Sequence, residues 1–282
     1  MAVRERTSLL CPNCRKLISA DEPVCPYCGI EKPAARKFLI LKMLAEASGD
    51  ITRIVIYING GFFLLSLLLS FSRMTLAANP LLFLSPSQEG LFLLGATGTV
   101  PIAAFGRWWT LISASYLHGG LLHIVFNMMA LSQLGPFVVR EFGVNRFIII
   151  YTITGVAGFY LSYLAGIPFT IGASASICGL IGAILYYGKT RGGFYGDAIY
   201  RQAMGWVVGL VIFGLLVSGI NNWAHGGGIV SGILLARLLG YSEWKEETTL
   251  HHAFSAGCVI LTIAVLLWVI IQSAYIFIFS SL

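Results

Sequence analysis

Five stretches without a charged residue divide the chain: 54–72, 108–139, 147–188, 202–236 and 248–282. A helix crossing a bilayer needs about 20 mostly apolar residues. The stretch starting at Phe147 is long enough for two such helices with a turn between them. The one starting at Gln202 also fits two, provided Arg237 snorkels at one end. The pattern predicts seven helices, at 54–71, 117–138, 147–164, 169–187, 203–220, 221–239 and 253–279, with no Asp or Glu in any of them. The fold class is an all-α polytopic membrane protein.

Composition agrees. The chain of 282 residues is 57% hydrophobic and 11% charged, where a soluble globule is about a quarter charged. The net charge of +6 would fit a nucleic-acid binder, but its placement gives another reading. With the N-terminus inside, 16 of the 18 Lys and Arg fall on the inner side, so the positive-inside rule sets the N-terminus in and the C-terminus out. The basic excess is then a topology signal and, at most, a contact with anionic lipid; no nucleic-acid partner is expected. No signal peptide is expected either, since Arg4, Glu5 and Arg6 lead into cysteines rather than a short apolar core.

Residues 1–35 carry Cys11-Pro-Asn-Cys14 and, ten residues on, Cys25-Pro-Tyr-Cys28. Two such knuckles can hold one zinc in four thiolates, and a reducing compartment favours metal over disulfide. Four thiolates leave no open position, so the zinc is expected to be structural. Residues 1–35 are therefore read as a small cytoplasmic zinc ribbon, since about 35 residues need such a staple to fold. Redox-active pairs are the alternative. Residues 36–53 form a linker, with 38–44 a candidate interfacial segment. Cys178 and Cys258 fall within predicted helices, where cysteine behaves as a small hydrophobe.

Polar side chains inside membrane helices are costly and mark functional sites. They are His118, His123, Asn127, Ser174, Asn221, Asn222 and His225. The predicted helices 2, 4 and 6 enter from the same side and carry His123, Ser174 and His225 roughly 9, 7.5 and 6 Å in, at 1.5 Å per residue. Asn127 shares a face with His123 about 6 Å deeper. Gly228 and Gly232 form a small-xxx-small face that allows close helix approach, which would bring Ser174 and His225 within hydrogen-bond reach. Ordinary helix packing with polar glue is the plain alternative.

Gly172-Ala173-Ser174, Ala224-His225 with Gly228 and Gly232, and His118-Gly-Gly-Leu-Leu-His123-Ile-Val-Phe-Asn127 resemble motifs of the rhomboid intramembrane serine proteases. The apolar loop 73–116, without a spanning helix, resembles that family's membrane-dipping first loop. The resemblance covers roughly 54–240. It implies a six-helix core with a seventh helix, in 241–282, as an addition.

It also implies a Ser174–His225 catalytic pair, with His123, Asn127 and the Ser174 amide meeting the oxyanion. His118 has a structural role, tying the first loop to the second helix, and Gly172, Gly228 and Gly232 are structural near the site. No catalytic cofactor is implied. The implied partners are the lipid bilayer and membrane-protein substrates with weakened transmembrane helices, in the plasma membrane of a prokaryote.

Three positions depart from the family pattern. Ala175 replaces the usual glycine after the nucleophile, and its methyl is expected to crowd the oxyanion site. Cys178 replaces an aromatic that stacks on the histidine. Trp109-Thr110 replaces a Trp-Arg pair, with Arg107 three residues upstream. A catalytically inactive relative that binds and routes membrane clients is therefore the alternative class. A transporter is disfavoured by the missing carboxylates and inverted repeat. Ser176 lies about 200° around the helix from Ser174 and is expected to bond within its helix or to the fifth.

Overall fold

The computed structural model describes residues 8–11, 16–19, 21–27, 29, 31, 50–70, 75–76, 83–217, 219–243 and 245–279. The chain divides into two units, Met1–Ile51 and Thr52–Leu282. In the first, strand β1 (Ser8–Leu10) pairs antiparallel with β2 (Leu17–Ser19), Ser8 opposite Ser19 and Leu10 opposite Leu17. Cys11 directly follows β1, and its N–H donates to Lys16 O at 2.9 Å. Val24, next to Cys25, forms an antiparallel bridge with Glu31. Cys11 and Cys25 are buried; Cys14, Cys28 and the segment 38–44 lie outside the described residues.

The described residues include seven helices of 18 residues or more, the first starting at the boundary between the units: α1 (Asp50–Leu69), α2 (Leu121–Phe142), α3 (Val144–Leu164), α4 (Ser174–Arg191), α5 (Gly193–Leu216), α6 (Asn222–Leu239) and α7 (Thr249–Phe279). Helix α4 occupies the centre, against α2, α3, α5 and α6. Its small residues make that position possible. A Cβ on Gly182 would run into the Ile229 carbonyl, one on Gly232 into the Gly179 carbonyl, and one on Gly228 into the Ala175 carbonyl. The α4 and α6 backbones therefore touch along a glycine seam. Gly158 of α3 likewise lies against the Ala224 carbonyl.

Helices α1, α2, α3, α5 and α7 are long and apolar enough to cross a membrane. Helices α4 and α6, each 18 residues long, are more polar. Most residues of α4 are buried by its neighbours, whereas α6 buries only its small-residue face, Ala224, Gly227, Gly228, Gly232 and Ala236, and leaves Trp223, Val230, Leu234 and Leu238 exposed.

Several predicted boundaries move. Helix α2 starts at Leu121 rather than 117, because Leu117 and Gly120 are extended. Helix α4 starts at Ser174 rather than 169, because the connector before it is committed to extended pairing. Thr97 and Thr170 exchange backbone hydrogen bonds of 3.1 and 2.7 Å, Thr99 N–H donates to Ile167 O at 2.8 Å, and Gly172 N–H donates to Ala114 O at 2.9 Å.

Helix α5 runs from Gly193 to Leu216 rather than over 203–220, since a single left-handed residue, Gly192, separates it from α4. Helix α7 starts at Thr249 rather than 253. These longer helices take in Asp50, Glu141 and Asp197 at or near their ends, which corrects the expectation of carboxylate-free helices.

The loop between α1 and α2 has no helix longer than six residues among those described: a hairpin of β3 (Thr75–Leu76) and β4 (Phe83–Ser85), a helix Gln88–Leu93 capped by Ser87, and short turns up to Tyr116. Arg107 anchors it. Its guanidinium stands between the Phe92 and Trp109 rings, 4.4 and 4.5 Å from their centroids, and donates to the carbonyls of Phe92 and Leu93 at 2.7 and 3.2 Å. Thr110 has one hydroxyl hydrogen, which goes to Arg107 O (2.6 Å), and its oxygen lies 3.0 Å from the Thr97 hydroxyl, which can donate to it.

At the other end of the bundle, Glu247 accepts from the Asn145 and Arg146 amides and caps α3. The buried Arg146 side chain donates to Lys245 O and Glu246 O. The link into α7 is thereby pinned to the start of α3.

Candidate active site

Ser174 is the first residue of α4 and His225 the fourth residue of α6. The Ser174 hydroxyl and His225 Nε2 are 2.9 Å apart. The glycine seam sets this distance: with Gly228 against the Ala175 carbonyl, the first turns of both helices stand side by side. His225 Nδ1 is buried and has no hydrogen-bond partner. The ring is held by packing, and no carboxylate takes the orienting place that a third triad member would.

His123 is the third residue of α2, so all three side chains belong to the first turn of their helices rather than lying 6–9 Å in. Its Nδ1 accepts the Gly119 N–H at 3.2 Å. An imidazole that accepts at Nδ1 carries its proton on Nε2. That Nε2 faces Gly172, where an added Cβ would come within 2.8 Å of it and within 3.6 Å of Ser174 Oγ. Gly172 has φ +127°, so it supplies both a left-handed backbone and the space in front of the hydroxyl.

The Asn127 amide nitrogen donates to the His123 carbonyl at 2.8 Å, one turn deeper. His118 is fully buried, without a hydrogen bond to either ring nitrogen, and packs edge-on against His123 with centroids 5.1 Å apart.

The Ala175 methyl does not crowd the space before Ser174. It lies in an apolar cluster with Ile102, Leu111, Ala114, Phe159 and Ala224, opposite Gly158. Cys178 is buried one turn below Ser174 and faces Gly228.

Ser176 turns to the far side of α4, over Gly155 of α3 and near Ser115, and its hydroxyl has no partner. The expected bond within its helix or to α5 is not made. Asn222 donates to the Gly214 carbonyl of α5 at 3.0 Å. Asn221, which sequence left without a role, caps α6.

A rhomboid domain model matches residues 105–242. Rhomboid protease GluP of Bacillus subtilis is 34% identical over 156 residues, 55% of this chain and 31% of that protein. RHOMBOID-like protein 4 of Arabidopsis thaliana is 34% identical over 176 residues, 60% of this chain and 43% of that one. The rhomboid-type protein YdcA of Bacillus subtilis is 32% identical over 138 residues, 48% of this chain and 69% of that one. This chain belongs to the rhomboid family and is an integral membrane protein. It spans less than half the length of the first two relatives.

Proposed function

We propose that this chain is an intramembrane serine endopeptidase that cuts transmembrane or membrane-proximal segments of other proteins with a Ser174–His225 dyad. The observation that carries the reading is the 2.9 Å approach of the Ser174 hydroxyl to His225 Nε2 at the start of a buried helix. Ser174 attacks the scissile carbonyl while His225 Nε2 takes its proton, then returns it to the leaving amine.

To act as base, the ring carries its other proton on Nδ1. Leaving such a buried donor unpaired costs about 1–3 kcal/mol, so the packing between α4 and α6 has to supply the orientation. The oxyanion is met by His123 Nε2–H, the Ser174 amide and Asn127. As the first amide of α4, the Ser174 N–H has no intrahelical acceptor, and it lies at the positive end of the helix dipole. Loss of one such donor typically costs about 10²–10³-fold in turnover.

A hydrogen-bonded substrate helix hides its carbonyls, so the substrates are membrane proteins whose helices contain Gly, Pro or other weakening residues near the site. The charge distribution supports an orientation with the N-terminus cytoplasmic and the C-terminus and dyad toward the outer face, in the plasma membrane of a prokaryote. All seven long helices then cross the bilayer, α4 enclosed by its neighbours and α6 turning its apolar face, with Val230, Leu234 and Leu238, to the lipid.

Cys11, Cys14, Cys25 and Cys28 are proposed to hold one structural zinc. Buried Cys11 and Cys25, each next to antiparallel pairing at β1 and at Val24, support that donor set.

A fluorophosphonate probe tests the serine without any substrate. Labelling of the wild type that is lost in Ser174→Ala is the expected result. A folded wild type that takes no label would favour the client-binding alternative.

A further inference from the structure

Asn221 immediately precedes α6, and both of its ends shape that helix's first turn. Its Oδ1 accepts the Ala224 N–H at 3.1 Å, and its backbone carbonyl accepts the His225 N–H at 3.2 Å. The side-chain amide nitrogen points the other way and spends both hydrogens on other segments. One goes to Ser162 Oγ near the end of α3, at 2.5 Å, and one to Thr170 Oγ1 in the connector that leads to Ser174, at 2.9 Å. Thr170 is paired by backbone bonds in both directions with Thr97 of the first loop, and the Thr97 hydroxyl lies 3.0 Å from that of Thr110. Four residues beyond Thr170 the chain reaches Ser174; four beyond Asn221 it reaches His225.

We infer that Asn221 is a positioning residue that ties the segment carrying Ser174 to the helix carrying His225, and both to the first loop, so that the two groups keep their 2.9 Å register. The inference rests on the proposed Ser174–His225 dyad. The glycine seam sets how closely α4 and α6 approach, and backbone pairing holds the connector ahead of α4 to the first loop but not to α6. The Asn221–Thr170 bond adds that link to α6, four residues ahead of each reacting group. A cap alone would need only an acceptor, which Ser, Thr or Asp provides equally well. The two donated bonds are what an asparagine adds.

The test uses the full chain in liposomes, with a single-span substrate and kcat and KM measured separately, alongside the melting temperature. Asn221→Ser keeps a capping oxygen but is too short to reach Ser162 and Thr170. Thr170→Val removes the acceptor and leaves the cap untouched, and Thr170→Ser restores it.

The inference expects kcat to fall ~10–100-fold in Asn221→Ser and in Thr170→Val, as for a displacement of less than about 1 Å at a reacting centre, with KM little changed. The double variant is no worse than either single one, and Thr170→Ser recovers activity. A purely structural role would lower the melting temperature and leave kcat intact; that result, or independent multiplying losses, overturns the inference. If the folded wild type itself leaves substrate and probe untouched, the protease reading fails. The tie is then judged by the melting temperatures: additive losses in the double variant contradict it, and non-additive losses uphold it.

Discussion

Gly228→Ala tests how the two helices set the chemistry. The added methyl would meet the Ala175 carbonyl and come within 3.0 Å of the Cys178 Cβ. Neither obstacle is the far end of a flexible side chain: one is the backbone of α4 a single residue after Ser174. Relief therefore requires α6 to move away from α4 by about 1 Å at that level, and a misplacement of this size costs on the order of 10²-fold in rate. Overpacking should also cost about 1–3 kcal/mol of stability.

Gly226→Ala is the matched control. It lies on the same helix two residues earlier, and an added methyl there meets nothing within 4 Å. The assay is kcat/KM on a single-span substrate in liposomes, read beside the melting temperature of each variant. The expected result is a loss of about 10²-fold in Gly228→Ala against near-normal rates in Gly226→Ala. Equal rates in the two, in well-folded protein, would refute the claim that the glycine seam sets the Ser174–His225 distance.

Ser176→Ala should keep most activity, because its hydroxyl faces Gly155 across α4 from His225; near-complete inactivation would overturn the assignment of Ser174 as nucleophile. Arg107→Ala should lower both the melting temperature and turnover by releasing the first loop, and Arg107→Lys should restore them poorly, since an ammonium cannot stack between two rings while donating to both carbonyls. Unchanged stability in Arg107→Ala would remove its anchoring role. Removal of residues 1–35 should leave a folded, active core. The full chain should carry one zinc by elemental analysis and Cys11→Ser much less, whereas a metal-free full chain would sink the ribbon proposal.

The existence of the seven helices was readable because charge-free runs this long have few other uses in a folded protein. Their starts were not, and the errors share a cause. Residues 169–173 are apolar enough to read as helix, yet Thr170 and Gly172 bond as extended chain with the first loop, more than 50 residues away. Leu117–Gly120 was absorbed into α2 for want of a visible breaker other than its two glycines.

At the site, residue types gave seven polar candidates in apolar segments, and the resemblance to the rhomboid family assigned roles to Ser174, His225, His123 and Asn127 among them. What they could not supply were relations that exist only in space. The Nε2 proton of His123 follows from the Gly119 amide on its other nitrogen. The harmless packing of the Ala175 methyl depends on Gly158 opposite it. Asn221 stood out as a polar residue in an apolar segment, the one signal that could have found it, but its partners Ser162 and Thr170 lie 59 and 51 residues away.

The most direct measurement of the central claim is cleavage of a single-span membrane substrate by the purified full chain in liposomes, comparing wild type with Ser174→Ala and His225→Ala. Cleavage by the wild type that disappears in both variants, with all three proteins folded, is the predicted result. Cleavage that survives in Ser174→Ala, or an intact substrate beside folded wild type, would contradict it.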